Sequence, residues 1–233
     1  MPSPRLPAVL FDLDGTLIDS VQLIVQSARH AFDVCEDYRG RVPTDDEWLV
    51  DLGMPLPTMF GRFTADQDEL ERLIDGYREF QREHHDTLVT HYEGIAETLA
   101  ELDGLGHPMA IVTSKSEPLA ARGLAHIGID RYFDLVVGLE SARQHKPHPE
   151  PVRVALRELG IAPHQAIFAG DSPHDMAAGR AAGVVTVAAL WGPFSRAQLA
   201  PARPDYYIKG ARELLRVVER VAEELEEESD ERD

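Results

Sequence analysis

The sequence predicts an α/β fold: a Rossmann-like, doubly wound parallel sheet with an inserted α-helical cap domain. Short, almost wholly apolar runs alternate with helical patterns along most of the chain, which is typical of parallel strands covered by helices on both faces. Between the first apolar run, at residues 8–11, and the second, at 109–113, the chain shows helical periodicity and no strand pattern. The helical block therefore interrupts the sheet after its first strand.

After residue 93 the strands and helices alternate regularly. Strands are expected at residues 8–11, 109–113, 133–137, 166–171, 184–187 and 206–208. Helices are expected around residues 95–102, 117–127, 150–159, 176–182 and 214–225. Glycine follows several of these helices, as expected for left-handed C-caps. The last residues, 223–233, are expected to form a frayed acidic tail. We predict a core domain at residues 1–17 and 89–233, and a cap domain at residues 18–88.

Within the block 18–88 the pattern is helical. Apolar residues recur at spacings of three and four in the segments 17–32 and 66–83, and prolines and a glycine interrupt residues 40–57. No strand is expected in this block.

Composition excludes several classes of partner. The chain has 233 residues, of which 43% are hydrophobic and 27% charged, and its net charge is −18. Such an acidic surface disfavours nucleic acid and anionic membranes as partners. An anionic substrate must therefore be attracted by a local cation. Because Cys35 is the only cysteine, neither an intrachain disulfide nor a thiolate metal cluster is expected.

The sequence also gives an expectation for the cellular compartment of the protein. The first seven residues hold three prolines and no apolar segment, and no apolar run approaches the ~20 residues needed to span a membrane. We expect a cytoplasmic protein, either a monomer or a homodimer.

Two closely spaced acids follow the first strand. Asp12 and Asp14 flank a single leucine and are followed by Gly15 and Thr16. Side chains alternate along a strand, so both acids should leave its C-terminal end on the same side. Two such carboxylates repel each other unless a cation or a shared proton lies between them. Gly15 allows a sharp turn that exposes backbone N–H groups.

Other polar residues end the strands that follow. Thr113 and Ser114 follow one strand, and Asp171 follows another, with Asp175 four residues later at the start of a helix. The carboxyl ends of parallel strands share one edge of the sheet, so these residues should meet Asp12 and Asp14. Four carboxylates in one crevice require positive charge, for which Mg²⁺ is the simplest candidate. Lys146, in a proline-rich loop, is the obvious second cation.

Four segments carry a resemblance to a known family. They are residues 12–16 (DLDGT), 112–114 (VTS), 146–151 (KPHPEP) and 170–175 (GDSPHD). In order and spacing they resemble the haloacid dehalogenase superfamily, specifically its phosphatases with a helical cap, such as the phosphoglycolate phosphatases. The likeness extends over nearly the whole chain.

The resemblance implies a role for each residue. Asp12 would be the nucleophile that becomes a phospho-aspartate, and Asp14 would be the general acid and later the base. Thr113, Ser114 and Lys146 would bind the phosphoryl oxygens and neutralise their charge. Asp12, the backbone carbonyl of Asp14, and Asp171 would be the Mg²⁺ ligands, with Asp175 supporting them.

We therefore expect a Mg²⁺-dependent phosphatase of a small phosphorylated metabolite, with 2-phosphoglycolate as the leading candidate. The alternatives are a pyrophosphatase, a nucleotide or sugar-phosphate phosphatase, and a mutase of the β-phosphoglucomutase kind. A catalytically idle protein that binds a phosphorylated ligand or another protein is the alternative of a different class. Arg41 and Arg62 are the cap cations expected to bind the far end of the substrate.

Overall fold

The computed structural model describes residues 6–230 and places a six-stranded parallel sheet at the centre of the chain. Numbered along the chain, the strands are β1 (Ala8–Phe11), β2 (Ile18–Asp19), β3 (Thr90–His91), β4 (Met109–Val112), β5 (Leu135–Val137), β6 (Ala166–Gly170), β7 (Val185–Ala189) and β8 (Tyr206–Ile208). The large sheet has the order β5-β4-β1-β6-β7-β8, and every neighbouring pair is parallel.

Helices cover both faces of this sheet. They are α1 (Val21–Val34), α2 (Asp45–Leu49), α3 (Leu56–Phe60), α4 (Gln67–Leu88), α5 (Ile95–Leu105), α6 (Glu117–His126), α7 (Glu150–Leu159), α8 (Pro173–Ala182), α9 (Arg196–Leu199) and α10 (Glu213–Asp230). Alternate residues of β1 enter different apolar clusters: Val9 and Phe11 pack on one face, and Ala8 and Leu10 on the other. A strand buried on both faces explains the unbroken apolar run, and the predicted fold class is confirmed.

The strand order brings three polar strand ends together. β1 lies between β4 and β6, with Phe11 in register with Ile111 on one side and Ala169 on the other. The backbone N–H of Asp12 continues the ladder by donating to the carbonyl of Ala169 at 2.9 Å. The residues that follow these three strands therefore start from adjacent positions at one edge of the sheet.

Helices α1 to α4, which we call the inserted helices, have an aromatic core of their own. Phe32, Trp48, Phe60 and Tyr77 are buried in one cluster, and the ring centroids of Trp48 and Phe60 are 4.6 Å apart. The same cluster includes residues from the sheet side, among them Met176. The inserted helices thus pack against the sheet through apolar contacts, which position them over its carboxyl edge.

The expectation that residues 18–88 hold no strand is wrong in one detail. Strand β2 pairs antiparallel with β3, with Ile18 opposite His91 and Asp19 opposite Thr90. A two-residue strand is too short to produce a periodic pattern, and its partner is distant in sequence, so only the folded chain reveals it. This small ribbon joins the points where the chain enters and leaves the inserted helices. The domain boundaries at 17/18 and 88/89 remain a prediction.

Helix α10 is longer than expected. It continues to Asp230, so the predicted frayed tail is helical over the described residues, and residues 231–233 lie outside them. Leu214, Val217, Val218 and Val221 are buried against the sheet domain and anchor the helix. Over residues 6–230, no helix is both long and apolar enough to cross a membrane.

Two glycines provide a matched test of how α8 packs on the sheet. A Cβ at Gly179 would lie 2.7 Å from Thr186 Cγ2 and 3.2 Å from Phe168 Cδ1, whereas one at Gly104, in α5, would meet nothing within 4 Å. We expect Gly179→Ala to lower the free energy of unfolding by about 1–3 kcal/mol through overpacking. Gly104→Ala should raise it by about 0.5–1 kcal/mol, because alanine costs less conformational entropy in a helix. Urea unfolding measures the free energy of unfolding of both variants. Equal changes in the two variants would contradict the close packing of α8 against the sheet at Gly179.

Candidate active site

A buried lysine links two acids at the carboxyl edge of the sheet. Lys146 Nζ lies 2.7 Å from Asp12 Oδ1 and 2.6 Å from Asp175 Oδ1, and it donates to the carbonyl of Val112 at 3.2 Å. All three charged side chains are at most 3% exposed. The Lys146 ammonium thus has three acceptors, and it fixes the positions of Asp12 and Asp175 relative to each other.

Asp171 completes an acidic triad with Asp12 and Asp175. One carboxylate oxygen from each of the three lies within 4.8 Å of the others. Asp171 Oδ1 accepts from the Thr16 hydroxyl at 2.8 Å, but Asp171 Oδ2 is buried with no hydrogen-bond partner among the described residues. A buried carboxylate oxygen without a partner is costly, which points to a ligand that the protein itself does not supply.

Asp175 differs from Asp171 in that both of its oxygens are occupied. Oδ1 binds Lys146, and Oδ2 accepts from the backbone N–H and the hydroxyl of Ser172, at 3.0 and 2.6 Å. Ser172 is the N-cap of α8, and it also accepts from the N–H of Asp175. This reciprocal cap holds Asp175 against Lys146 at the start of the helix.

The triad holds more negative charge than Lys146 can balance. Burial, then the neighbouring Asp175, raises the pKa of Asp12 from 3.8 to about 7, although Lys146 opposes this shift. Burial, then Asp175 and Asp12, also raises the pKa of Asp171 well above its ordinary value. For Lys146, burial favours the neutral amine, but Asp12 and Asp175 outweigh it and raise its pKa. The three acids cannot all be ionised at neutral pH without further positive charge.

The residues around the triad fit a hard divalent cation. All the donors are oxygens, which such cations prefer, and the orphaned Asp171 Oδ2 provides a ligand atom. Backbone approaches Asp171 closely from two sides: a Cβ at Gly15 would lie 2.6 Å from Asp171 Oδ2, and one at Gly192 would lie 2.5 Å from Asp171 Cβ. Only glycine fits at either position, so main-chain atoms can surround the carboxylate.

The turn after β1 is held in place from both ends. Gly15 has a φ of +87°, in the region that favours glycine, and its N–H donates to the carbonyl of Ile18 at 2.9 Å. The indole N–H of Trp191 donates to the carbonyl of Thr16 at 2.9 Å. The sequence predicts the turn at Gly15 but not its support by Trp191. Since Trp191 follows β7, the same strand-end reasoning that identified Asp171 could have found it.

Asp14 lies apart from the triad in a polar environment of its own. Its Oδ1 accepts from the Ser20 hydroxyl at 2.6 Å and from Lys115 Nζ at 2.7 Å. Ser20 occupies the N-cap position of α1, yet its side chain makes no capping bond. The Ser20 hydroxyl therefore orients Asp14 at the expense of a helix cap. Sequence reasoning missed Lys115, although it directly follows Thr113 and Ser114 at the end of β4.

A cavity of about 140 Å³ lies between the sheet edge and the inserted helices. Asp12, Asp14, Thr113, Ser114 and Lys115 are among its lining residues on the sheet side. The inserted helices and their loops contribute an apolar wall, formed by Ile24, Leu52, Met54, Leu56, Pro57 and Met59. The predicted reactive residues Asp12, Asp14, Thr113 and Ser114 therefore share a small space with an apolar wall that the inserted helices supply.

The two hydroxyl residues after β4 lie where the sequence places them, but they are partly engaged. Thr113 donates its N–H to the carbonyl of Val137, and its hydroxyl oxygen accepts from the N–H of Lys115 at 3.2 Å. The Ser114 hydroxyl donates to the carbonyl of Gly53, in the loop between α2 and α3. Ser114 thus joins the sheet domain to the inserted helices across the cavity.

The expectation that Arg41 and Arg62 bind the far end of the substrate is wrong. Arg41 pairs with Glu47 at 2.6 Å, and Arg62 pairs with Asp51, so both guanidinium groups are neutralised within the inserted helices. Neither is among the residues that line the cavity. The arginine that does line it is Arg78, on α4. The helical pattern of α4 was visible in the sequence, but which of its polar residues face the sheet depends on how the helix docks.

Comparison with known proteins supports this picture. The sequence model of the haloacid dehalogenase-like hydrolases matches residues 9–189. The chain is 39% identical over 219 residues to the pyrophosphatase PpaX of Bacillus pumilus, a match that covers 94% of this chain and 99% of that protein.

Solved structures show the same fold. A haloacid dehalogenase-like family hydrolase from Streptococcus pneumoniae superposes with a TM-score of 0.78 at 28% identity, covering 91% of this chain and 98% of the other. A protein described as a predicted phosphoglycolate phosphatase, from Haemophilus somnus, superposes with a TM-score of 0.81 at 24% identity, covering 92% and 99%. At that identity the likeness shows the fold alone. The family model covers most of the chain, including the acidic triad and all strands of the large sheet except β8. The chain therefore belongs to the haloacid dehalogenase-like hydrolases and is an enzyme of the phosphatase type.

Proposed function

We propose that the protein is a Mg²⁺-dependent pyrophosphatase that cleaves inorganic diphosphate through a phospho-aspartate on Asp12. The observation that carries the proposal is the buried Asp12 carboxylate, held by Lys146 beside Asp171 and lining the cavity between the sheet edge and the inserted helices. A carboxylate oriented by an adjacent cation, and a proton-carrying group that lines the same cavity as that carboxylate, are what phosphoryl transfer to a carboxylate requires. We propose a cytoplasmic location, as the sequence predicts.

Diphosphate replaces 2-phosphoglycolate as the leading substrate for two reasons. Relatives that match more than nine-tenths of this chain at 36–40% identity are named pyrophosphatases. The cavity of about 140 Å³ is also smaller than the roughly 300–1,000 Å³ that drug-sized ligands occupy, so it suits a small anion better than a nucleotide.

In the first half of the reaction, a carboxylate oxygen of Asp12 attacks one phosphorus of diphosphate. The bond from that phosphorus to the bridging oxygen breaks, and the leaving phosphate takes a proton from Asp14. Lys146 stays against Asp12 and prevents the carboxylate from rotating away. Ser20 and Lys115 hold Asp14 on the cavity side of the turn, where the leaving oxygen departs.

In the second half, the Asp14 carboxylate takes a proton from a water molecule, which attacks the phosphorus of phospho-Asp12. The phosphorus–oxygen bond to Asp12 breaks, releasing orthophosphate and regenerating both acids. The hydroxyls of Thr113 and Ser114 would donate to the phosphoryl oxygens, which requires Ser114 to release the Gly53 carbonyl. Substrate binding would therefore loosen one contact between the sheet domain and the inserted helices.

The magnesium ligands proposed are Asp12, Asp171 and the main-chain carbonyl of Asp14, with Asp175 supporting the site through Lys146 and Ser172. A bound Mg²⁺ would neutralise the excess charge of the triad and polarise the transferred phosphoryl group. Asp175 is the less suitable direct ligand, because both of its oxygens already accept hydrogen bonds.

Replacing the nucleophile should abolish turnover without unfolding the protein. Asp12→Asn keeps the shape of the side chain but removes the attacking charge, so kcat for diphosphate should fall at least about a thousandfold. Phosphate release measures this, and a thermal melt confirms folding. The matched control, Asp33→Asn at an exposed position of α1, should retain wild-type turnover. Substantial turnover in Asp12→Asn would exclude the covalent mechanism.

Asp14→Asn should separate the two chemical steps. An aryl phosphate with a good leaving group needs no proton from Asp14, so the first step should survive while hydrolysis of the phosphoenzyme slows. Stopped-flow detection of the aryl alcohol should then show a burst of about one equivalent per active site, followed by slow turnover. If both steps slow equally and no burst appears, Asp14 does not have this double role.

Removing one acid of the triad should stabilise the metal-free protein. Asp171 is buried and repelled by Asp12 and Asp175, so Asp171→Asn should raise the metal-free Tm by about 2 °C or more. The same change should abolish the rise in Tm that Mg²⁺ gives the wild type. Differential scanning calorimetry with and without Mg²⁺ measures both. A lower metal-free Tm in the variant would contradict this electrostatic strain.

The raised pKa of Asp12 determines the direction in which the unfolding free energy changes with pH. Asp12 holds its proton up to about pH 7 in the folded chain but only to about 3.8 when unfolded. The folded state therefore binds more protons in this window, and this group makes the unfolding free energy fall as pH rises from about 4 to about 7. Compared with Asp12→Asn, metal-free wild type should lose stability across pH 5–7, and saturating Mg²⁺ should remove the difference. Urea titrations at each pH measure the unfolding free energies of both proteins. If the unfolding free energy of the wild type relative to Asp12→Asn rose with pH, the raised pKa of Asp12 would be contradicted.

A further inference from the structure

The face of α4 turned to the cavity carries hydrogen-bond donors to which the catalytic steps above assign no role. Tyr77, Arg78 and Gln81 all line the cavity, and Gln81 Nε2 donates to the Tyr77 hydroxyl at 3.2 Å. Tyr77 is buried, and Asp14 adds to burial in raising the pKa of its hydroxyl, so this hydroxyl stays protonated and lies near the proposed general acid. The helix therefore presents hydrogen-bond donors to the cavity that Asp14 also lines.

Arg78 is the cation of this set that is not neutralised. Lys115 also lines the cavity, but its ammonium is 2.7 Å from Asp14. Over the described residues, no carboxylate oxygen lies within 4.0 Å of the Arg78 guanidinium, although Asp75 and Glu79 are near it along the helix. Arg78 is exposed and lines both the cavity and the neighbouring surface groove. In a chain of net charge −18, a cation at the edge of the substrate cavity that lacks an acidic partner is a candidate anion site.

Arg78 also stands at the junction of two spaces. A surface groove of about 950 Å³ runs along α4 and the end of α1, and it shares Arg78, Gln81 and Leu119 with the cavity. Asp12 and Asp14 line the cavity but not the groove, so the two spaces adjoin at Arg78 and not at these acids. An anionic group that extends from the reacting phosphoryl group towards the groove would meet this guanidinium.

We propose that Arg78 binds the second anionic group of the substrate and selects substrates that have one. This inference rests on the proposed phosphatase activity, but it does not depend on which small phosphorylated substrate with a second anionic group is cleaved. A guanidinium pairs two N–H donors with either a phosphate or a carboxylate, so it would serve the leaving phosphate of diphosphate or the carboxylate of phosphoglycolate.

The test compares substrates with and without the second anion. Phosphate release from diphosphate, from 2-phosphoglycolate and from an aryl phosphate whose aryl group carries no charge gives kcat/KM for the wild type, Arg78→Gln and Arg82→Gln. Arg82 is the matched control, because it lies one turn further along α4 and lines the groove but not the cavity. In Arg78→Gln, the ratio of kcat/KM for the preferred substrate with a second anionic group to that for the aryl phosphate should fall about tenfold to a hundredfold. In Arg82→Gln, the ratio should stay within about twofold.

Equilibrium binding keeps the inference testable apart from turnover. In the Asp12→Asn chain, isothermal titration with diphosphate and with orthophosphate should show that Arg78→Gln weakens only diphosphate, by about tenfold or more. An unchanged ratio in the kinetic test, or equal weakening of both anions here, would overturn the role of Arg78. A wild type that binds diphosphate through Arg78 but cleaves none of the three substrates would overturn the proposed function and leave this inference standing.

Discussion

The ion pairs of Lys146 with Asp12 and Asp175 are the interactions on which the site depends. A lone buried carboxylate is costly, and a lone buried ammonium equally so, but together they are satisfied by short hydrogen bonds. The geometry follows from chain topology, since Asp12 ends β1, Asp175 opens α8 after β6, and Lys146 precedes α7. Because Lys146 supplies a single positive charge, one or two negative charges of the triad stay unbalanced. That deficit links the stability of the protein to metal binding and to the chemistry proposed for Asp12.

The cavity is formed jointly by the edge of the sheet and the inserted helices. The sheet supplies the acids, Lys146 and the hydroxyls, whereas the helices supply the apolar wall and the donors on α4. The two parts meet through specific polar contacts, such as the bond from Ser114 to Gly53 and the pairing of Arg122 on α6 with Asp86 on α4. These contacts are few and partly exposed, so they can break and re-form at modest cost. Substrate selection would then reside in the helices, and bond cleavage in the sheet domain.

The sequence predicts the sheet and the acidic cluster well because both depend on local signals and on one general rule. Apolar runs that end in Asp12, Thr113 and Asp171 mark buried strands, and parallel strands align their carboxyl ends. What the sequence could not reveal depends on docking between distant segments. The β2–β3 ribbon pairs residues about 70 positions apart, and the partner of Lys115 was hidden until the turn after β1 was placed. The sequence does not single out Arg78, because helix periodicity does not show which polar face of α4 meets the sheet.

The most direct measurement of the central claim is to locate the phosphoryl group during turnover. Rapid acid quench of the wild type with ³²P-labelled diphosphate and Mg²⁺, followed by peptide mapping, identifies any residue that becomes phosphorylated. If Asp12 is the nucleophile, the label appears on the peptide that contains it, is released by hydroxylamine, and is absent from Asp12→Asn. Label on a different residue, or full turnover with no labelled protein at any quench time, would contradict covalent catalysis at this site.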